Sequence, residues 1–264
     1  MDLGIKDKVV MVAASSKGLG FGIAREAARE GAILSMGSRN QKSLKEAAEK
    51  IQKEVPGAVI LTSQLDVSLA ESIDRWIQLT LKELKTIDCL VVNGGGPPPG
   101  TFDEMDDHKW ETGFENTLMS AVRLIRGVLP EMRRKKSGSI LTVTSSSIKE
   151  PIDNLILSNV FRSGVTSLVK SLSFQVASDH IRINNLVPGF FDTDRLRELD
   201  LRNSGEWRIS LDNVRKINFD TIPMGRYGDP EEFGKAAVFL LSGAASYVTG
   251  ETFVIDGGKM RTVW

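Results

Sequence analysis

Apolar residues along the chain fall into seven short runs, separated by stretches of helical spacing. The runs 8–14, 32–36, 59–65, 88–93, 139–145, 181–187 and 252–255 read as buried strands. Helical spacing occupies 21–30, 41–55, 68–84, 107–136, 154–178 and 231–242. In the first of these Ile23, Ala24, Ala27 and Ala28 share a face and Gly31 closes it; in the second Leu44, Ala47, Ala48 and Ile51 do so and Pro56-Gly57 stops it. The loop from Gly94 to Gly100, with Pro97, Pro98 and Pro99, excludes helix and central strand. Strands alternating with crossover-length helices predict an α/β fold: a doubly wound parallel sheet of about seven strands with helices on both faces, in a single Rossmann-type domain over 1–264. Residues 190–225 read as irregular and amphipathic, a candidate lid.

Composition narrows the function classes. Hydrophobic residues make up 41% and charged residues 26%, which predicts a globular chain. Lys plus Arg and Asp plus Glu are each 34, so zero net charge removes the electrostatic case for nucleic acid. The cluster from Arg133 to Lys136 ends a predicted helix, where cations complement the dipole. The one cysteine, Cys89, allows no disulfide within the chain and reads as a small core residue. The first residues lack a signal pattern and no run approaches membrane-spanning length, so a soluble cytoplasmic protein without membrane contact is expected. His108 and His180 stand far apart with no ligand cluster, so no protein metal site is expected.

Between the first strand and first helix lies Ala14-Ser15-Ser16-Lys17-Gly18-Leu19-Gly20, with Gly22 entering the helix. A glycine turn there aims backbone N–H groups and the positive end of the helix at a phosphate. Two cations stand beside it, Lys17 in the turn and Arg39 just past the second strand. A carboxylate at that strand end would accept from the ribose hydroxyls of NAD, whereas an arginine suits a 2′-phosphate. NADP(H) is therefore the preferred cofactor, with NAD(H) possible.

The turn resembles the TGxxxGxG turn of the short-chain dehydrogenase/reductase family, with Ala13-Ala14 in place of Thr-Gly. Alanine resists positive φ, so the turn is expected to be right-handed at 14 or slightly shifted. The resemblance extends over nearly the whole chain. Ser38 stands where an NAD-preferring relative would carry Asp. Asp66-Val67 looks like the Asp-Val that contacts adenine, and Asn93-Gly94 like the segment beside the adenosine ribose. Pro188-Gly189 with Thr193 is similar to the segment by the nicotinamide carboxamide. The resemblance thus implies a cofactor site of Ala14, Ser16, Lys17, Gly18, Leu19, Gly20, Ser38, Arg39, Asp66, Val67, Asn93, Gly94, Pro188, Gly189 and Thr193.

The family's catalytic constellation is Asn, Ser, Tyr and Lys. Asn116 aligns with the Asn that holds a water, and Ser145 with the Ser that binds the substrate carbonyl. Ser158 stands at the Tyr position and Arg162 at the Lys position, while the two tyrosines, Tyr227 and Tyr247, lie near the C-terminus. A serine hydroxyl is a far weaker acid than a phenol of pKa about 10 and sits a ring's length further from the substrate. Arg162 keeps the charge and can hold ribose hydroxyls or an oxyanion, but it relays protons poorly. Three readings follow. Hydride transfer persists, with water or Lys149 supplying the proton; the site does non-redox chemistry with Ser145, Ser146, Ser147 and Arg162; or the nucleotide binds without turnover. The first leads: an NADP-preferring oxidoreductase for a small-molecule carbonyl or alcohol. Pro97, Pro98, Pro99, Phe102, Phe190, Phe191 and Trp207 are expected to line the substrate wall or pack the lid. Arg195, Arg197, Arg202 and Arg208 interleave with Glu198, Asp200, Glu206 and Asp212 and read as a solvated face. The resemblance also implies a homotetramer or homodimer through 107–136 and 154–178.

Overall fold

The computed structural model describes residues 2–263. Seven strands, β1 (Val9–Ala13), β2 (Ile33–Ser38), β3 (Ile60–Gln64), β4 (Cys89–Val92), β5 (Gly138–Val143), β6 (Ile181–Pro188) and β7 (Thr252–Ile255), form one sheet in the order β3-β2-β1-β4-β5-β6-β7. Every pairing is parallel. The chain winds outward from β1 in one direction and then restarts at β4 in the other. The two halves diverge at their C-terminal ends and open a crevice there, the place where α/β sheets bind ligands.

Strand β1 shows why the sheet sits inside. Its five residues are all buried, with Val10 and Val12 in one apolar cluster and Met11 and Ala13 in another. The first cluster is closed by α1 (Gly18–Arg29), α2 (Gln41–Glu54) and, later in the chain, α9 (Pro230–Leu241). The second is closed by α3 (Ala70–Leu84), α5 (Ser120–Lys135) and α6 (Ile156–Val176). Period-two alternation along the strand thus feeds both faces of the sheet. Glycines set one close approach: a β-carbon on Gly22 would lie 2.4 Å from Pro230 O, and one on Gly234 2.5 Å from Gly22 O, so α1 and α9 cross backbone to backbone.

Two sequence expectations fail here. The helix expected over 107–136 is α4 (Asp107–Phe114), a π-helical turn (Glu115–Met119) and then α5. The stretch 190–225, expected to be irregular, carries α7 (Asp194–Trp207) and α8 (Leu211–Asp220). These helices bury few residues, Leu196 and the polar Asp200 in α7 and Val214 in α8, so hydrophobic spacing gave no signal. Their caps were legible: Thr193 accepts from Leu196 N–H at 3.4 Å and Ser210 from Asn213 N–H at 3.2 Å. Among the described residues no helix is long and apolar enough to cross a membrane, and no His, Cys, Asp and Glu cluster could hold a metal ion.

Candidate active site

The crevice begins at the β1–α1 turn. Ala14 has φ +50°, so the left-handed backbone that alanine was expected to avoid is present. That geometry costs about 1–2 kcal/mol for a residue with a β-carbon. Neighbouring contacts hold it: Asn93 Nδ2 donates to Ala13 O at 3.3 Å and to Ala14 O at 3.4 Å, tying the turn to the end of β4. Gly20 lies directly against this knot, since a β-carbon there would stand 2.4 Å from Ala14 O and 2.7 Å from Asn93 Nδ2. Gly18, with φ +60°, opens α1, and Leu19 follows half-buried. The helix has no side-chain N-cap and no acidic residue in its first turn, so its N-terminal amides and positive dipole end face the crevice.

At the end of β2, Ser38 Oγ lies 2.9 Å from Ser16 Oγ. Arg39 follows with an exposed side chain, its backbone carbonyl accepting from Gln64 at 3.1 Å, and Lys17 is exposed in the turn. Asp66 spends its Oδ1 on Ser68, accepting from the backbone N–H at 3.0 Å and the hydroxyl at 2.7 Å, and Val67 packs beside the second apolar cluster. Beyond β4, a β-carbon on Gly94 or Gly95 would meet nothing within 4 Å, so a flat open floor continues from Asn93. On the far wall, Gly189 presses so closely on Asp256 that a β-carbon would lie 2.5 Å from its backbone. Pro188 ends β6 in register with Ile255. Thr193 caps α7, and its methyl carbon is 3.7 Å from the β-carbon position of Gly18. Residues far apart in sequence, Gly18, Asn93 and Thr193, thus frame one groove.

These residues fit a nicotinamide dinucleotide. The amide-lined glycine turn suits a pyrophosphate, the open glycines leave room for sugars, and no carboxylate ends β2 to repel a 2′-phosphate.

The reacting end lies where β5 stops. Ser145 is half-buried, and its Oγ accepts from Ser147 N–H at 3.2 Å. Ser147 Oγ in turn lies 3.3 Å from Ser158 Oγ, and both of those residues are buried. Ser158 therefore reaches Ser145 only through Ser147. Arg162 Nη1 donates to Val143 O at 3.0 Å and Thr144 O at 2.9 Å, the last carbonyls before Ser145. Burial, and secondarily the charge of Arg195, lowers its pKa to about 10, which leaves it a cation at neutral pH. Asn116 sits in the π-helical turn, where Ser120 Oγ donates to its carbonyl at 2.8 Å. It lines a cavity of about 30 Å³ with Asn93, Thr117, Thr144 and Arg162, large enough for one water molecule. Thr117 Oγ1, buried without a hydrogen-bond partner among the described residues, lines the same cavity.

The expected apolar wall divides. Pro98, Pro99, Phe102 and Trp207 are exposed. Pro97 is buried; Phe190 packs on Tyr227 with ring centroids 6.0 Å apart, and Phe191 belongs to the core, 5.1 Å from Phe233. The lid's charge run divides too. Arg197 pairs with Asp192 at 2.8 Å and Arg202 with Glu206 at 3.7 Å, as a solvated face would. Arg195 instead reaches Gly96, across from Arg162. Sequence reading missed this placement because one arginine among four carries no distinguishing neighbour.

Residues 13–259 match a family model described as enoyl-(acyl carrier protein) reductase. The 3-oxoacyl-[acyl-carrier-protein] reductase of Chlamydia muridarum is 30% identical over 252 residues, covering 96% of this chain and 97% of the relative. Human dehydrogenase/reductase SDR family member 4 is 30% identical over 255 residues, covering 96% and 88%. Among solved structures, L-sorbose reductase from Gluconobacter frateurii, complexed with NADPH and L-sorbose, superposes with a TM-score of 0.95 at 31% identity over 100% of both chains. An NADPH-bound short-chain oxidoreductase from Pseudomonas aeruginosa, described as containing an atypical catalytic center, superposes with a TM-score of 0.89 at 25% identity, covering 98% and 99%.

Proposed function

The chain belongs to the short-chain dehydrogenase/reductase family of NAD(P)-dependent oxidoreductases, and from that premise we propose that it is an NADPH-preferring reductase of a small-molecule carbonyl compound working without the family's tyrosine and lysine. One observation carries the reading: Arg162 is pinned to the last two carbonyls of β5, beside Ser145, at the end of a groove that starts at the glycine turn.

The dinucleotide supplies a hydride from its nicotinamide. This chain's residues position and polarise. The turn from Ala14 to Gly20 would hold the pyrophosphate, with Thr193 beside Gly18. Ser16, Ser38, Arg39 and Lys17 would receive a 2′-phosphate, which supports NADP over NAD; Asp66, Val67, Asn93 and Gly94 would flank the adenosine half, and Pro188-Gly189 the nicotinamide half. Ser145 Oγ already accepts from Ser147 N–H, so its own proton is available to the substrate oxygen. Arg162 is too tightly tethered to act as a mobile acid. Its cation, fixed beside Ser145, stabilises negative charge on the bound substrate. Ser158 is a positioning residue that holds Ser147 and hence the orientation of Ser145. Asn116 lines the water-sized cavity behind Arg162. The proton then comes from water or from Lys149, which is half-buried just past the Ser146–Ile148 turn.

Residues 190–225 act as the lid. Its two helices are pinned by Asp200, which accepts from Tyr227 Oη at 3.0 Å and Asn218 Nδ2 at 3.1 Å. Phe174 on α6 is 78% exposed, which supports self-association through that helix as a dimer or tetramer.

The test is NADPH and NADH oxidation with a panel of aldehydes, ketones and oxo acids. The reading expects turnover with at least one member, faster with NADPH. Saturable cofactor binding with no turnover on any member would replace it with a nucleotide-binding protein on the same fold.

A further inference from the structure

Two arginines of the crevice, Arg162 and Arg195, converge on Gly96. A β-carbon built on Gly96 would lie 3.2 Å from Arg195 Nη2, 3.5 Å from Arg195 Nη1 and 3.5 Å from Arg162 Nη2. Any side chain at 96 would fill that point; glycine leaves it to the two guanidinium groups. They come from different elements, Arg162 from α6 beneath the end of β5 and Arg195 from the first turn of the lid helix α7. Arg162 keeps Nη1 on the Val143 and Thr144 carbonyls, which directs Nη2 toward Gly96. No carboxylate of the described residues forms a salt bridge with either, although Arg197, Arg202, Arg215 and Arg226 in the same region each have one. The charge of Arg195 is also felt at Arg162, where it disfavours the cation. Two cations that both reach Gly96 without a carboxylate partner among the described residues form a ready receptor for one anion, since an anion bound by both removes their repulsion and accepts from both forks.

Resting on the proposed reductase reading, we infer that Arg162 and Arg195 bind the carboxylate of the substrate, so that the substrate class is short oxo acids whose carboxylate lies one or two bonds from the reacting carbonyl. The location favours substrate over cofactor as the source of the anion. The phosphate cradle is the β1–α1 turn, whereas Arg162 is anchored at the end of β5 beside Ser145, where the carbonyl would sit. With the carboxylate between the arginines, the neighbouring carbonyl falls toward Ser145. The reaction is then R–CO–COO⁻ + NADPH + H⁺ → R–CH(OH)–COO⁻ + NADP⁺. Hydride forms the new C–H bond, the C=O π pair moves to oxygen, and a proton from solvent completes the hydroxyl. Because Arg195 rides on the lid helix, binding the carboxylate also draws the start of α7 toward α6.

The test uses a non-reducible pair of the same shape, oxamate with its carboxylate and oxamide without. Calorimetric titration of the protein, with and without NADPH, is expected to show oxamate binding at least tenfold tighter than oxamide. Arg195→Gln is expected to bring the two within threefold while the Kd for NADPH stays within twofold. Equal binding of oxamate and oxamide, or binding of neither, overturns the inference. So does an Arg195→Gln variant that keeps the oxamate preference and instead weakens NADPH, which would assign the pair to a cofactor phosphate. The readout is binding alone, so its failure is separable from that of the reductase reading. A protein that discriminates oxamate yet reduces no carbonyl keeps this site and loses the proposed reaction.

Discussion

Ser158 Oγ lies 3.3 Å from Ser147 Oγ, with both side chains buried between α6 and the turn that follows β5. The hydroxyl that occupies the proposed tyrosine position therefore faces another serine rather than the crevice. Ser145, one link further along, is the one of the three that is only half-buried, and it is the hydroxyl proposed to meet the substrate. Ser145→Ala is expected to lower kcat/KM by about 10²-fold, the scale of losing one oxyanion donor. Ser158→Ala is expected to cost a few-fold, together with about 1 kcal/mol of stability from the lost buried hydrogen bond. Steady-state kinetics and thermal melts of both variants check the order; the reverse order would make Ser158 the hydroxyl that meets the substrate.

Alanine in a left-handed conformation predicts a stabilising substitution. Ala14→Gly removes steric cost at φ +50° and adds some freedom to the unfolded chain, for a net gain of about 1 kcal/mol. In a chain of this size that raises Tm by about 2–4 °C. A calorimetric scan checks it, and a lowered Tm would mean that Ala14 is not strained in the folded protein.

Arg39 is the residue proposed to separate the two dinucleotides. It is exposed just past β2 and follows Ser38, whose hydroxyl meets that of Ser16. Arg39→Ala is expected to raise the Kd for NADPH about tenfold, consistent with one charge-assisted phosphate contact, and to leave NADH within twofold. Fluorescence titration of both cofactors is the measurement; parallel weakening would place Arg39 outside the 2′-phosphate site.

A pH signature belongs to the turn before α9. Glu232 accepts from both terminal nitrogens of Arg226 at 2.7 Å and from Asp229 N–H at 2.8 Å, completing a capping box. The Arg226 hydrogen bonds, then the Asp229 amide, lower its pKa from 4.5 to about 2. A depressed carboxylate pKa stabilises the fold above 4.5, and that contribution is lost as pH falls from 4.5 toward 2. The pair is partly exposed, so screening limits Glu232→Gln to about 1 kcal/mol at pH 7. The Tm gap between parent and variant is expected to narrow below pH 4.5; a gap independent of pH would remove ionisation as its cause.

The sheet was legible because strands buried on both faces are apolar along their length, as β1 and β4 are. The glycine turn was legible as spacing, but its handedness at Ala14 was not, because the contact that holds it comes from Asn93, just past β4. The π-helical turn at Asn116 left no mark, since its residues keep helical spacing. Arg195 looked like one of several lid arginines; only the tertiary structure brings it to Gly96, in the loop after β4, and Arg162. Local patterns carry the elements, while tertiary contacts decide which charges meet.

The central claim is that hydride passes from the cofactor to a carbonyl in a site whose polar groups are Ser145 and Arg162. The most direct measurement is single turnover with NADPH deuterated at the transferring C4 position, followed by mass spectrometry of the product. The account predicts one deuterium per product alcohol, on the former carbonyl carbon, and none in an otherwise identical Ser145→Ala reaction stopped at the same early time. Product formed with the deuterium still on the cofactor would contradict it.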